Sequence, residues 1–154
     1  MSRVAVVQAA PVVFNRDRTL EIVADWTREA AADGAKLVLF PEAFVSAYPK
    51  GLDFGARVGM RTAAGRDDYL RYWDSAVDVP GPSIDRLGAI AKKHSVHLVI
   101  GVIERSAGTM YCTVLFFDPE GQLLGKHRKL MPTGAERLVW GFGDGSTMPV
   151  FETA

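Results

Sequence analysis

Cysteine is nearly missing from this chain. Cys112 stands alone among 154 residues, which excludes an internal disulfide and any metal centre built on several thiolates, and agrees with a reducing compartment. Long apolar runs are missing too. No stretch approaches the roughly 20 apolar residues of a membrane span, and the N-terminus MSRVAVVQAAP is too short for a secretory leader and reads directly as a strand. Net charge is also absent: Lys plus Arg and Asp plus Glu each number 18. Without a basic stripe interleaved with aromatics, nucleic-acid binding has no electrostatic basis. The histidines His94, His97 and His127 lack partners at a metal-ligand spacing. These absences point to a cytoplasmic protein with neither nucleic acid nor membrane as partner, acting on small neutral molecules or on other proteins.

What the chain does hold is ample material for one core, with 48% apolar residues in the length of a single domain. Residues 3–9 are β-branched and apolar and are closed off by Pro11, which predicts a first strand. Asn15 or Asp17 can cap a helix over 18–33, with Ile22 or Val23, Trp26 and Ala30 at helical spacing and Gly34 as its stop. The apolar run 37–40 is a strand buried on both faces, ended by Pro41. Residues 45–82, with Gly51, Gly55, Gly59 and Gly65, read as a surface excursion containing one short helix near 67–75. Its aromatics Tyr48, Phe54, Tyr69, Tyr72 and Trp73 are read as anchors of that loop rather than as a pocket. Ser83 in PGPS can cap a second long helix whose apolar face is Ile84, Leu87, Ile90 and Ala91 and which ends near His94. Residues 96–103 form another buried strand, and 109–126 a hairpin about the type I turn Asp118-Pro119-Glu120-Gly121. The order β-α-β-α-β-β-β predicts an α/β sheet with helices on one face and the hairpin extending it.

Two stretches carry the candidate chemistry. In KLVLFPEAF, 36–44, Glu42 directly follows a buried strand, and open α/β sheets place ligand sites beyond the carboxyl ends of their strands. A solvated loop glutamate is the competing reading. In KHRKLMPTGAER, 126–137, Lys129 lies beside Leu130, Met131 and Pro132, so its stem is drawn toward the protein body and its ammonium needs an anion. Glu136 is near in sequence and Glu42 is a candidate neighbour in space. A lysine between two carboxylates keeps all three charged and suits an electrophilic or proton-donating role opposite a general base. The plainer reading is a basic surface run. Cys112, the lone thiol, falls on the strand face shared by Met110, Val114 and Phe116, an apolar setting that predicts an inert structural cysteine. The glycines of GFGDGS, 141–146, are read as a tight loop, since no strand leads into them and no helix follows.

Taken together, FPEAF at 40–44, YPKGLDFGARVG at 48–59, DVPGP at 78–82, HRKLMPT at 127–133 and ERLVWGFGDGS at 136–146 resemble the nitrilase branch of the carbon–nitrogen hydrolase superfamily, in order and over nearly the whole chain. The resemblance implies an α-β-β-α sandwich, of which residues 1–154 are the N-terminal half. It also implies a site of glutamate, lysine and cysteine with a second, supporting glutamate. By motif, Glu42 takes the general-base position, Lys129 the catalytic lysine and Glu136 the supporting glutamate. The family carries its cysteine in a C-W-E motif downstream of the GDG loop, and these residues contain no such motif; Cys112 matches it neither in neighbours nor in order.

The activity implied is hydrolysis of a small-molecule nitrile to acid and ammonia through a cysteine thioimidate and acyl-enzyme, with no metal, nucleotide or organic cofactor. Residues 1–154 without the nucleophile are expected to be inactive. A related amidase or cyanide hydratase is the nearest competing reading. A different class is a non-catalytic interaction module that pairs with full-length subunits. Assembly into homo-oligomers is expected, as the family forms dimers and larger spirals.

Overall fold

The sheet begins three residues into the chain. In the computed structural model, which describes residues 2–56 and 62–153, the first strand is β1 (Val4–Val6). Helix α1 (Arg16–Ala32) follows, capped by Asn15, whose side-chain oxygen accepts the Arg18 N–H at 3.1 Å. Its buried face is Thr19, Leu20, Val23 and Thr27, while Trp26 is 44% exposed. The expected inward Trp26 is thus corrected: at about 100° of turn per residue, a face centred on Leu20, Val23 and Thr27 swings its neighbour toward solvent.

Strand β2 (Leu37–Leu39) pairs parallel with β1 on one side and with β3 (His97–Ser106) on the other. Between β2 and β3 come two helices, α2 (Ala63–Ser75) and α3 (Pro82–His94). Helix α2 starts earlier than the sequence spacing indicates because Thr62 caps it through the Gly65 N–H. Helix α3 corrects a second expectation. Its N-cap is Gly81 with Pro82 in the first turn, and Ser83 lies inside the helix, buried, rather than capping it. Ser95, in the left-handed conformation at φ 52°, ends it. The last part of YPKGLDFGARVG, residues 57–59 with Gly59, lies outside the described residues.

Strand β3 runs on to Ser106 and turns directly into β4 (Thr109–Phe117) through Ala107 and Gly108, both at positive φ. That two-residue turn suits the twist of an antiparallel pair. Strand β5 (Leu123–Arg128) returns after the Asp118–Gly121 turn, closed by Gly121 N–H to Asp118 O at 3.0 Å. The sheet order is β1-β2-β3-β4-β5, parallel through β3 and antiparallel beyond it. A short 3-10 helix, Gly134–Leu138, follows β5.

Helices α1 and α3 cover one face of the sheet. There Leu20, Val23, Leu87 and Ala91 pack on Val38, Leu98, Ile100, Leu115 and Phe117 in one continuous core. The opposite face is also apolar. Toward the Ser106 end of β3 it is covered by Tyr72 and Ala76 of α2 and by Trp140, which cluster with Ile103, Met110 and Cys112, whereas Val4, Val6 and Leu39 are 55%, 67% and 37% exposed. A one-sided sheet facing water would alternate with polar residues here. Among the described residues no helix is long and apolar enough to cross a membrane.

Candidate active site

Glu42 is presented by a detour in the backbone. The ladder to β3 continues past β2 with Phe40 N–H to Val99 O at 2.9 Å, and resumes with Val45 N–H to Gly101 O at 3.2 Å. Between those points Pro41 donates nothing and Ala43 turns at φ 50°, so Glu42 is pushed out over β3. The close approach requires glycine beneath it. A Cβ on Gly101 would stand 2.4 Å from Pro41 O and 2.7 Å from Glu42 Cα.

Lys129 comes from the other side. Its N–H extends the β4–β5 ladder to Cys112 O at 2.8 Å, and its carbonyl accepts the Gly143 N–H at 2.9 Å. Here the GFGDGS loop has a definite task. A Cβ on Gly143 would lie 2.4 Å from Arg128 O, so only glycine lets that loop press on the backbone of the lysine. The Lys129 ammonium then reaches Glu42 Oε1 at 2.7 Å and Glu136 Oε2 at 2.9 Å. It also lies 5.7 Å from the centre of the Trp140 ring.

Glu136 sits in the short 3-10 helix with every oxygen engaged. Oε2 accepts the Thr133 N–H at 2.6 Å as well as Lys129, and Oε1 accepts the Tyr48 hydroxyl at 2.8 Å. Burial works against its ionisation, but the Thr133 N–H, Lys129 and Tyr48 together outweigh it and hold its pKa below the usual glutamate value. Burial likewise disfavours the Lys129 ammonium, and the bonds and charges of Glu42 and Glu136 more than offset that, raising its pKa. The group is cationic throughout the neutral range.

The three residues singled out by motif are therefore brought into one cluster, and the structure adds others. Tyr48, read from sequence as a loop anchor, bonds Glu136, while Tyr72 is fully buried and accepts the Trp140 indole N–H at 3.2 Å beneath the site. Cys112 corrects the reading of its strand face. The thiol is buried with Met110, Ile103 and Trp140, but that face is not wholly apolar, because Glu42 Oε1 lies 3.4 Å from Sγ. A detour of the loop after β2 brings a carboxylate over β4, and strand alternation carries no sign of it. A cleft of about 400 Å³ adjoins the cluster, lined by Leu39, Gly101, Val114, His127 and Leu130 together with Glu42, Cys112 and Lys129.

Buried Glu104 also escaped the sequence reading. It is 1% exposed and accepts Lys126 at 2.5 Å, Arg128 at 2.6 Å and the Thr113 hydroxyl at 2.9 Å. In sequence it is one charged residue at the end of an apolar strand, with basic residues at alternate positions 126 and 128 as its only sign.

The carbon-nitrogen hydrolase family matches residues 3–154. A bifunctional nitrilase/nitrile hydratase of Lupinus angustifolius is 56% identical over 98% of this chain, which covers 43% of that protein. Nitrilase 3 of Arabidopsis thaliana is 53% identical, with 98% of this chain and 44% of the relative covered. The chain thus spans less than half the length of these relatives. Among solved structures, an amidase from Nesterenkonia sp. superposes with a TM-score of 0.68 at 20% identity over 93% of this chain and 48% of its own. Its likeness extends to the fold: a mixed sheet under helices, as in the α-β-β-α sandwich. With the family matched along nearly every residue and relatives more than half identical, this chain belongs to the carbon–nitrogen hydrolase family.

Proposed function

We propose that residues 1–154 are the N-terminal part of a single hydrolase domain of nitrilase type, which converts an organic nitrile to a carboxylic acid and ammonia. One observation carries the assignment of roles: Lys129 bridges two carboxylates whose surroundings differ, at 2.7 and 2.9 Å. Glu136 has both oxygens bonded and serves to hold the lysine. Glu42 lines the cleft, is 48% exposed at its side chain and is bonded through Oε1, with no donor on Oε2 among the described residues, and is suited to move protons.

In this reading a cysteine thiol from outside residues 1–154 gives its proton to Glu42, its sulfur bonds to the nitrile carbon, and Glu42 passes that proton on to the nitrile nitrogen, which forms a neutral thioimidate and restores the carboxylate. Water adds next, losing a proton to Glu42. The tetrahedral adduct then breaks its C–N bond, and ammonia leaves. A second water cleaves the thioester, freeing acid and thiol. Lys129 stabilises the negative charge that develops at each addition. If the adduct breaks its C–S bond instead, an amide leaves. The relatives named as bifunctional nitrilase and nitrile hydratase favour both outcomes here. The protein is further expected to work as a homo-oligomer.

The test uses the full-length protein that carries this chain, with aliphatic and aromatic nitriles as substrates. Acid, ammonia and some amide are expected, and Glu42→Gln and Lys129→Met should each lower kcat by about a thousandfold or more while the protein stays folded. Hydrolysis of primary amides with no product from any nitrile would replace the nitrilase reading by an amidase one. Full turnover in Glu42→Gln would end the assignment of the base.

A further inference from the structure

Cys112 belongs to no step above, yet it touches both partners of the ion pair. Its backbone carbonyl accepts the Lys129 N–H at 2.8 Å, and its thiol donates to Glu42 Oε1 at 3.4 Å. Cys112 thus joins the backbone of the lysine directly to the carboxylate of Glu42. We propose that Cys112 is a positioning residue that holds Glu42 in line for proton transfer, an inference that rests on the hydrolase reading.

The consequence lies in how the two carboxylate oxygens are divided. Oε1 receives two donors, the Cys112 thiol and the Lys129 ammonium, while Oε2 has no donor among the described residues. A carboxylate pinned through one oxygen cannot rotate freely about its last bond, so the lone pairs of the other keep one direction. The environment keeps the thiol able to donate. It is 5% exposed among Ile103, Met110, Tyr72 and Trp140, and burial together with the adjacent Glu42 carboxylate pushes its pKa well up. This argues equally against Cys112 as a nucleophile, since the thiolate is the reactive form.

Cys112→Ala and Cys112→Ser in the full-length protein separate donor from bulk, because the two replacements are nearly equal in size and only serine donates. Cys112→Ala should lower kcat by about tenfold with little change in KM. Cys112→Ser should recover most of that loss at a similar Tm. Equal kcat values in wild type and both variants would overturn the positioning role while leaving the hydrolase reading intact. Complete loss of turnover in well-folded Cys112→Ser would make the thiol a nucleophile and overturn both the positioning role and the placement of the nucleophile outside residues 1–154. A readout independent of turnover is the infrared S–H stretch in the difference spectrum of wild type minus Cys112→Ala. It should lie at the lowered frequency of a thiol bonded to a carboxylate and rise when Glu42→Leu removes the acceptor. A stretch unmoved by Glu42→Leu sinks the inference even if the protein hydrolyses no nitrile.

Discussion

Glu42 and Glu136 bond the same ammonium, and the number of donors on each separates the tasks proposed for them. Three donors fill Glu136 and lower its pKa, which leaves it unable to accept another proton at neutral pH. Tyr48 is the donor whose removal tests this division most cleanly. Its hydroxyl reaches Glu136 Oε1 at 2.8 Å, its ring meets Trp140 edge-on at 5.7 Å, and its pKa is raised chiefly by the bond to Glu136. Tyr48→Phe keeps the ring contact and deletes the bond. Since Tyr48 is 44% exposed, water can replace the lost donor. The full-length variant should therefore lose about three- to tenfold in kcat with Tm nearly unchanged. A loss as deep as that of Lys129→Met would mean that Tyr48 itself touches the reacting atoms.

At the scale of elements, the site is held by the meeting of β4 and β5 with the loop after β2. Glu104 fastens the first of these. It ties β3 to Lys126 and Arg128 of β5 immediately before Lys129, and Arg128 in turn stacks 3.9 Å over the Tyr111 ring. Removing the charge from a buried, paired carboxylate leaves two cations without their anion, and Glu104→Gln should cost about 3 kcal/mol near neutral pH. Burial opposes ionisation of Glu104, but Arg128, Lys126 and Thr113 outweigh it and lower its pKa. A carboxylate lowered in the folded state contributes its stabilisation fully above the unfolded value, about 4.3, and loses it as pH falls through the folded value below that. The stability gap between wild type and Glu104→Gln, measured by denaturant melts of the full-length protein, should accordingly narrow as pH drops below about 4. A gap constant from neutrality into that acid range would contradict the ion cluster.

How far these elements could be read beforehand follows from the range of the interactions. Short-range signals were sufficient for the presence of β2, for the Asp118–Gly121 turn and for the placement of Glu42 at a strand end, since a run of apolar residues and a proline decide them locally; the expected burial of β2 on both faces is corrected, because Leu39 is 37% exposed on the face away from α1 and α3. Lys129 and Glu136 were indicated by the apolar neighbours of the lysine and its need for an anion, and the motif resemblance supplied their roles. Cys112, Glu104 and Tyr48 were not legible, because each acquires its partner across a separation of 9 to 88 residues. Alternation along a strand tells which side chains share a face, and stays silent on what another loop lays over that face. The face of α1 was misjudged for a related reason: Thr19 and Thr27 are buried although polar, which shifts the stripe away from Trp26.

For the whole molecule the decisive feature is the uncovered face. Helices α1 and α3 cover one side of the sheet, while on the other α2 packs over Ile103, Met110 and Cys112 and leaves Val4, Val6 and Leu39 exposed beside the cleft that holds Glu42 and Lys129. A sheet apolar on both faces is normally covered on both, and this chain spans 43% of its Lupinus relative. The proposed C-terminal part of the domain therefore has two tasks, to cover this face and to bring the cysteine thiol to Glu42. Expressed alone, residues 1–154 should release no ammonia from nitriles, because Glu42 and Lys129 without a nucleophile supply only position and charge. They should also self-associate, since exposed apolar surface and open strand edges pair with whatever chain is nearest. Sedimentation and thermal melting of purified residues 1–154 should show heterogeneous oligomers with a broad transition, and co-expression with the remainder of the full-length protein should restore a sharp melt and turnover. A monodisperse monomer of residues 1–154 that melts cooperatively and hydrolyses a nitrile would sink the two-part reading, because the thiol needed would then have to be Cys112, whose burial against Glu42 keeps it protonated.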